Sequence, residues 1–554
     1  MGKAARCAAP ARAAHWTRGV GEPGHVHKSF LYGNREIPEA TGCIPQSVRL
    51  GKARGRKPDV HATGKSDTGI VSMRRTNKGA QPHQDGQPPA EFAEKRPVAE
   101  GNPEQATAYG TQGPKDALSG LDRVREAARR DAGQRFTNLL HHIGVELLRR
   151  AYGELNREAA AGIDEVTWRS YGEDLEERLI DLKDRIHGGR YRARPSKRKW
   201  IAKPDGRRRP IGIAAVEDKV VQRALVLVLQ QIYEEDFLGF SYGFRPGRSQ
   251  HQALDALYVA INRRKVNWVL DADIRGFFDT LDHRWLMKFV EHRVADPRLL
   301  RLIAKFLRAG VSEDGQWSRT EVGTPQGAVI SPLLANIYLH YVLDLWVHRW
   351  RQRHARGEVY IVRYSDDFVL GFQYRSDAHR FLCELHRRMG KFGLELHEEK
   401  TRLIEFGRFA ARSREKRGEG KPETFDFLGF THYCAKRRSD GSFTVRRKTT
   451  AKRMRAKLKQ VGQRLRRKSS LPISLQGQWL GSVVRGHVNY YGVPGNIHAL
   501  NGFRKQVIRY WIRALRRRSQ KGRNLTWLRF KRWVTKWIPP VRIVHPYPDQ
   551  RLCV

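Results

Sequence analysis

Four acids in two short stretches have the types and spacing to do chemistry. Asp366 and Asp367 are adjacent in EVYIVRYSDDFVLGF, residues 358–372, while Asp271 and Asp273 alternate in NWVLDADIRGFFD, residues 267–279. Adjacent carboxylates in a cleft repel, and one takes up a proton unless a cation lies between them. Oxygen-only ligands suit Mg²⁺, which binds through one or two carboxylates together with substrate phosphates. The pair points to phosphoryl chemistry, provided a third carboxylate joins it. By the two-residue period of a strand, Asp271 and Asp273 share one face, and either can be that third ligand. Spacing alone does not choose between them.

The elements around these acids are short and apolar. Val359–Val362 and Phe368–Leu370 read as two strands joined by a tight turn at Ser365-Asp366-Asp367, and Trp268–Leu270 as a buried strand running into Gly276. Upstream, Trp200–Ile213 carries a Pro-Asp-Gly turn, which predicts a β-hairpin with Lys203 and Arg209 flanking it. Those two cations suit a triphosphate, Arg as a planar fork and Lys as a point charge, although a solvated basic loop would look the same. In FSYGFRPGRS, Gly243 and Gly247 allow unusual backbone angles, and Arg245 and Arg248 offer phosphate contacts. Gln326, near two glycines, can hydrogen-bond a nucleotide that approaches the backbone. Ser331 suits the N-cap of the next helix and Pro332 its first position.

Helical spacing is expected from Leu118 onward (Leu139, Leu140, Ile143, Leu147, Leu148), and again around residues 171–186, 218–233 and 377–392. His141 and His142 read as packing or surface residues, since no Cys or acid stands at metal spacing. Thr424–Phe430 is a hairpin candidate, and the charged, Gly-containing segment 410–421 reads as a surface loop.

With 554 residues the chain is long enough for two to four domains, and its net charge of +48 argues for a polyanionic partner. The 13 Trp, with Tyr and Phe among the Lys and Arg, suit RNA or DNA because aromatic faces stack on bases. There is no run of apolar residues long enough to span a bilayer, and no secretory or myristoylation pattern at the start. Cys7, Cys43, Cys383, Cys434 and Cys553 are isolated from one another, which fits a reducing cytosol rather than a zinc or disulfide framework. Residues 1–115 are basic, Gly- and Pro-rich and without apolar period, so they are expected to be a disordered leader; Met73 can be a later start. From Ala451 onward Asp549 stands against about two dozen Lys and Arg with aromatics interleaved, the footprint of a nucleic-acid-binding region whose aromatics are mostly core.

Taken together and in order, KPDGRRRPIGI, FSYGFRPGRS, DADIRGFFD, GTPQGAVISPLLANIYL, YSDD, GLELHEEKT and FDFLGF resemble the reverse transcriptase–maturase proteins of bacterial group II introns. The tail RRSQ…RIVHPYPDQR is similar to their maturase region, so the resemblance runs from about Leu118 to Val554. It implies an α+β fold, a right-hand polymerase with fingers and an antiparallel-sheet palm, followed by an α-helical thumb and maturase domain. The implied divisions are residues 116–265 (N-terminal extension and fingers), 266–435 (palm with a fingers insertion) and 436–554 (thumb and maturase).

The resemblance also implies roles. Asp273, rather than Asp271, joins Asp366 and Asp367 as catalytic ligands of two Mg²⁺ ions. Phe278 takes the position that blocks a ribose 2′-OH, Lys203 and Arg209 bind the triphosphate, and Gln326 contacts the nucleotide. Lys400 is a candidate general acid for the departing pyrophosphate, against a plain exposed lysine. Arg245, Arg248, Arg516, Arg517 and Arg518 are candidate RNA contacts. The implied partners are group II intron RNA, an RNA template with a DNA primer, deoxynucleoside triphosphates and a DNA target, with no membrane, in the cytoplasm. Departures are peripheral: Ser365 where Ala is usual, no Pro before Lys203, and Ile163-Asp164-Glu165 for a more common VDG. No Cys pair near the C-terminus marks an HNH endonuclease, so second-strand cleavage is not expected. The alternatives are an RNA-binding splicing maturase with little polymerase activity, or a bacterial reverse transcriptase of retron, diversity-generating or defence type.

Overall fold

The computed structural model describes residues 114–202, 208–313, 316–318, 323–324 and 326–551. Lys203, most of the expected leader and the last three positions lie outside them. The chain is mixed helix and sheet. Its strands are β1 (Ser196–Ala202), β2 (Arg208–Ile213), β3 (Trp268–Ala272), β4 (Val311–Glu313), β5 (Gln316–Ser318), β6 (Val359–Tyr364), β7 (Asp367–Phe372), β8 (Arg402–Glu405), β9 (Phe425–Phe427), β10 (Phe430–Lys436) and β11 (Phe443–Thr449).

The sheet that matters for the site has the order β6-β7-β3-β8, all antiparallel. β6 and β7 are almost continuously buried, which is why they read as short apolar runs rather than alternating ones. The helices Gln250–Arg263 and Arg375–Lys391 pack against this sheet. The helix Val216–Asp236, buried on every face along its apolar middle from Ala224 to Leu229, belongs to the same core. A second sheet, β2-β1-β4-β5, carries the basic hairpin, and a third, β11-β10-β9, begins at the Thr424–Phe430 hairpin.

Beyond β11 the helices Ala451–Arg467, Ile473–Tyr491, Ile497–Arg516 and Trp527–Trp537 close around their own core, centred on the buried Trp511 and Phe530. Gln476 ties it together: its carbonyl accepts from Trp511 Nε1 at 3.1 Å, and its amide donates to the carbonyls of Lys468, Ser469 and Leu471. Most aromatics here are buried in this core or packed against it, as expected; Trp527 is 52 % exposed. Among the described residues, no helix is long and apolar enough to cross a membrane.

Three local expectations need correction. The apolar run at residues 118–148 is not one helix; it breaks after Arg130 and resumes at Val145, with a 3₁₀ turn at Leu140–His142 between. Asp296, far away in sequence, takes the N–H groups of Leu139 and Leu140 at 2.9 Å each and also caps the helix Pro297–Arg308. Burial raises its carboxyl, but these backbone donors outweigh burial and leave it below the ordinary value. Second, the segment 410–421 opens with a helix, Ala410–Lys416. Third, Ile330, not Ser331, is the N-cap: its carbonyl takes Leu333 N and Leu334 N, so Ser331 is already helical.

Candidate active site

Arg363 is the unexpected centre of the β6–β7 turn. A charged side chain within a buried strand must have every donor met, and this one does. Nε and Nη2 grip Asp344 at 2.8 and 2.6 Å, Nη1 reaches Asn336 Oδ1 at 2.9 Å and Ser365 O at 3.0 Å, and Nη2 also reaches Ser241 Oγ at 2.7 Å. Both partners of the ion pair are fully buried. Burial pushes the Asp344 carboxyl up, and the Arg363 charge pulls it back. Asp344 reaches this point from a π-type turn, His340–Asp344, inserted between the helices Ser331–Leu339 and Leu345–Arg353.

The clamp fixes the turn. Tyr364 pairs with Asp367, leaving Ser365 and Asp366 at the tip, and Ser365 adopts φ +60°, a left-handed conformation that non-glycine residues rarely adopt. Gly243 lies so close that a side chain there would collide with the Ser365 backbone nitrogen. Asn336 Nδ2 donates to Gly243 O at 2.7 Å, so the FSYGF segment and the SPLLAN helix are tied to the same turn.

The register brings the third acid in. Ala272 pairs with Phe368, so the next residue, Asp273, lies beside Asp367, the first residue of β7. Burial raises the Asp366 carboxyl, with Asp273's charge adding to it, while the Ser365 hydroxyl donates to it and pulls the other way. Asp367 is pushed up to about 7 by burial, then by the charges of Asp366 and Asp273. Such a cluster is overloaded with negative charge and suits a hard cation. Cations already attend its edge: Lys400 Nζ meets Asp273 Oδ2 at 2.5 Å, and Arg402 lies 3.7 Å from Asp271. Burial carries Asp271 up to about 7, with Arg402 opposing. With Asp273 turned to Lys400, no three His, Cys, Asp or Glu side chains among the described residues converge as a ready-made metal cage. The donor chemistry nonetheless fits Mg²⁺: oxygen only, with a shared surplus of charge.

A second group lies alongside. Arg209 Nε donates to Gln326 Oε1 at 2.5 Å, and Gln326 Nε2 donates to the Asp279 carboxylate at 3.2 and 3.3 Å. Asp279 follows Phe278, a half-buried ring packed edge-on against Phe277, and Phe278 O accepts from Thr324 N at 2.8 Å. Arg209 also pulls down on Asp366, linking this group to the acids. Asp279, Arg363, Asn336 and Asp344 join the site beyond the residues expected from the sequence. Arg363, Asp344 and Asn336 each carry a signal, a lone polar side chain within an apolar run; Asp279 does not.

The expectation for Arg245 is corrected. Its side chain is 1 % exposed, with Nε on Glu234 at 3.0 Å and Nη1 on the carbonyls of Leu238 and Ser241, so it cannot reach a phosphate. Arg248, half-buried, lies 5.6 Å from the Tyr242 ring centroid. Arg516 and Arg518 are exposed and donate to the carbonyls of Leu525 and of Ser470 and Leu471. With Arg513, Arg517 and Arg523, Arg516 lines an open cavity of about 530 Å³.

Comparison with known proteins bears on this arrangement. Residues 201–432 match the family model described as reverse transcriptase (RNA-dependent DNA polymerase). The chain is 33% identical over 297 residues to Protein YkfC of Escherichia coli (strain K12), covering 47% of this chain and 77% of that protein. It is 36% identical over 248 residues to the group II intron-encoded protein LtrA of Lactococcus lactis subsp. cremoris, covering 44% of this chain and 40% of LtrA. A protein in a cob intron of Schizosaccharomyces pombe is 42% identical over 146 residues, 26% of this chain and 18% of that protein.

Proposed function

This chain belongs to the reverse transcriptase–maturase family of group II introns, and on that footing we propose that it copies RNA into DNA and binds its folded intron RNA, assisting splicing and retromobility from the cytoplasm. One observation carries the catalytic half: the β3–β7 register sets Asp273 beside Asp367, with Asp366 held at a clamped turn. Asp273, Asp366 and Asp367 are the residues that would hold two Mg²⁺ ions, which supply activation of the primer 3′-OH and stabilisation of the pyrophosphate.

The chain's own residues do the rest. Arg209, with Lys203 as its proposed companion, neutralises triphosphate charge; Gln326 orients Arg209 and meets the incoming nucleotide. Phe278 walls off a 2′-OH and so selects deoxynucleotides. Lys400, already against Asp273, is placed to give a proton to the leaving group. In this reading residues 116–265 form the N-terminal extension and fingers, 266–435 the palm and 436–554 the thumb and maturase region. The acid-bearing sheet and the separate helical core after Ala451 support that division. Arg248, Arg517 and the arginine-lined cavity supply phosphate contacts to intron RNA.

Changing both Asp366 and Asp367 to Asn is expected to lower primer extension on an RNA template by more than about a thousand-fold, while intron RNA binding stays near the parent value. Undiminished cDNA synthesis by that variant would overturn the catalytic reading.

A further inference from the structure

Phe244 is placed against the demands of stability in two ways. It is a bulky residue at φ +57°, where L side chains are strained, and its ring is 54 % exposed. Its neighbours on both sides are pinned. Gly243 is held by Asn336 and pressed on Ser365, while Arg245 is anchored in the core through Glu234, Leu238 and Ser241. The preceding residues run along β6, with Arg363 N donating to Phe240 O and Tyr242 N to Arg363 O, both at 2.9 Å. Phe244 therefore has no freedom to relax, and its ring stands 6.1 Å from that of Tyr364, the residue that leads into the catalytic turn. Glycine or asparagine would satisfy the backbone better.

We propose that Phe244 and Tyr364 form an aromatic shelf that receives the 3′-terminal nucleotide of the primer strand. The inference rests on the polymerase reading and adds to it a contact for the extended strand. The reacting hydroxyl must lie at Asp366 and Asp367, so the nucleotide bearing it lies within reach of a ring packed on Tyr364. The incoming nucleotide has its own group, Arg209–Gln326–Asp279 with Phe278. A flat, exposed ring suits a base or sugar of any identity, as an extended end requires.

The test uses the full-length protein with Phe244→Gly and Phe244→Tyr. Phe244→Gly is expected to keep or raise the thermal midpoint, because the left-handed strain is relieved, and to raise KM for primer–template about ten-fold with KM for the deoxynucleotide unchanged. Phe244→Tyr restores the parent KM. A photoreactive azidophenylalanine at position 244, with duplex and no nucleotide triphosphate, cross-links to the terminal primer nucleotide. A lowered midpoint with unchanged primer–template KM, a shift confined to the deoxynucleotide KM, or cross-links to template alone would each overturn the shelf. If the parent protein extends no primer, the polymerase reading falls, and the cross-link still decides the shelf.

Discussion

At the scale of single residues, the site is assembled from side chains distant in sequence: Gln326 accepts from Arg209 and donates to Asp279. Asp366 and Asp367 stood out because a solvated bend would not sit between Val362 and Phe368. Asp279 is marked only by its partner: Gln326, from a distant loop, donates to it. The opposite holds at Arg245: a basic, Gly-containing loop suggests exposure, but Glu234 and two carbonyls take its guanidinium inside. Asp279→Ala removes the acceptor that orients Gln326, and through it Arg209. KM for deoxynucleotide is expected to rise about five-fold, the equivalent of one hydrogen bond of about 1 kcal/mol, with kcat changing less. Steady-state primer extension at varied nucleotide concentration measures both.

At the scale of elements, β3 and the β6–β7 hairpin were legible because they are short, apolar and mostly buried, whereas β4, β5, β8 and β11 carry no such run. The break in the leading helix was legible only in part: Asp131 takes the Gly133 N–H in a local turn, but Asp296, which holds Leu139 and Leu140, comes from a different part of the chain. The clamp around Arg363 belongs to this scale, joining β6, the π-type turn, the helix Ser331–Leu339 and the FSYGF loop. Asp344→Asn leaves the guanidinium buried without its counter-charge, and about 3–5 kcal/mol of stability is expected to be lost in urea unfolding. Replacing the pair together, Arg363→Met with Asp344→Leu, is expected to recover most of that loss. Primer extension is not expected to recover with it, because nothing then holds the Ser365 carbonyl. Recovery of both would make the clamp structural only.

At the scale of the whole molecule, the composition announced a nucleic-acid partner, but it could not show that several histidines are sealed in the two cores. His432 lies flat on Phe425, His487 on Phe503, and His340 edge-on to Phe237. Burial lowers each to about 3. The folded values lie below the unfolded one, so below about pH 6.5 the unfolded chain takes up protons that the folded chain refuses, and stability falls as pH drops. Asp218 and Asp236, which burial raises to about 6, act in the other direction and offset part of that fall. A single exchange isolates the effect. His432→Phe is expected to gain on the parent by up to about 1.4 kcal/mol per pH unit between about pH 6 and 4, read from urea midpoints at matched pH. A constant difference across that range would show that His432 titrates normally. The Arg363 clamp also bears on descent. A guanidinium with no spare donor, shared among Ser241, Asn336, Asp344 and the Ser365 carbonyl, punishes one-at-a-time change. Relatives should therefore inherit Ser241, Asn336, Asp344 and Arg363 as a block, or exchange them in concert, even where the surrounding sequence has drifted.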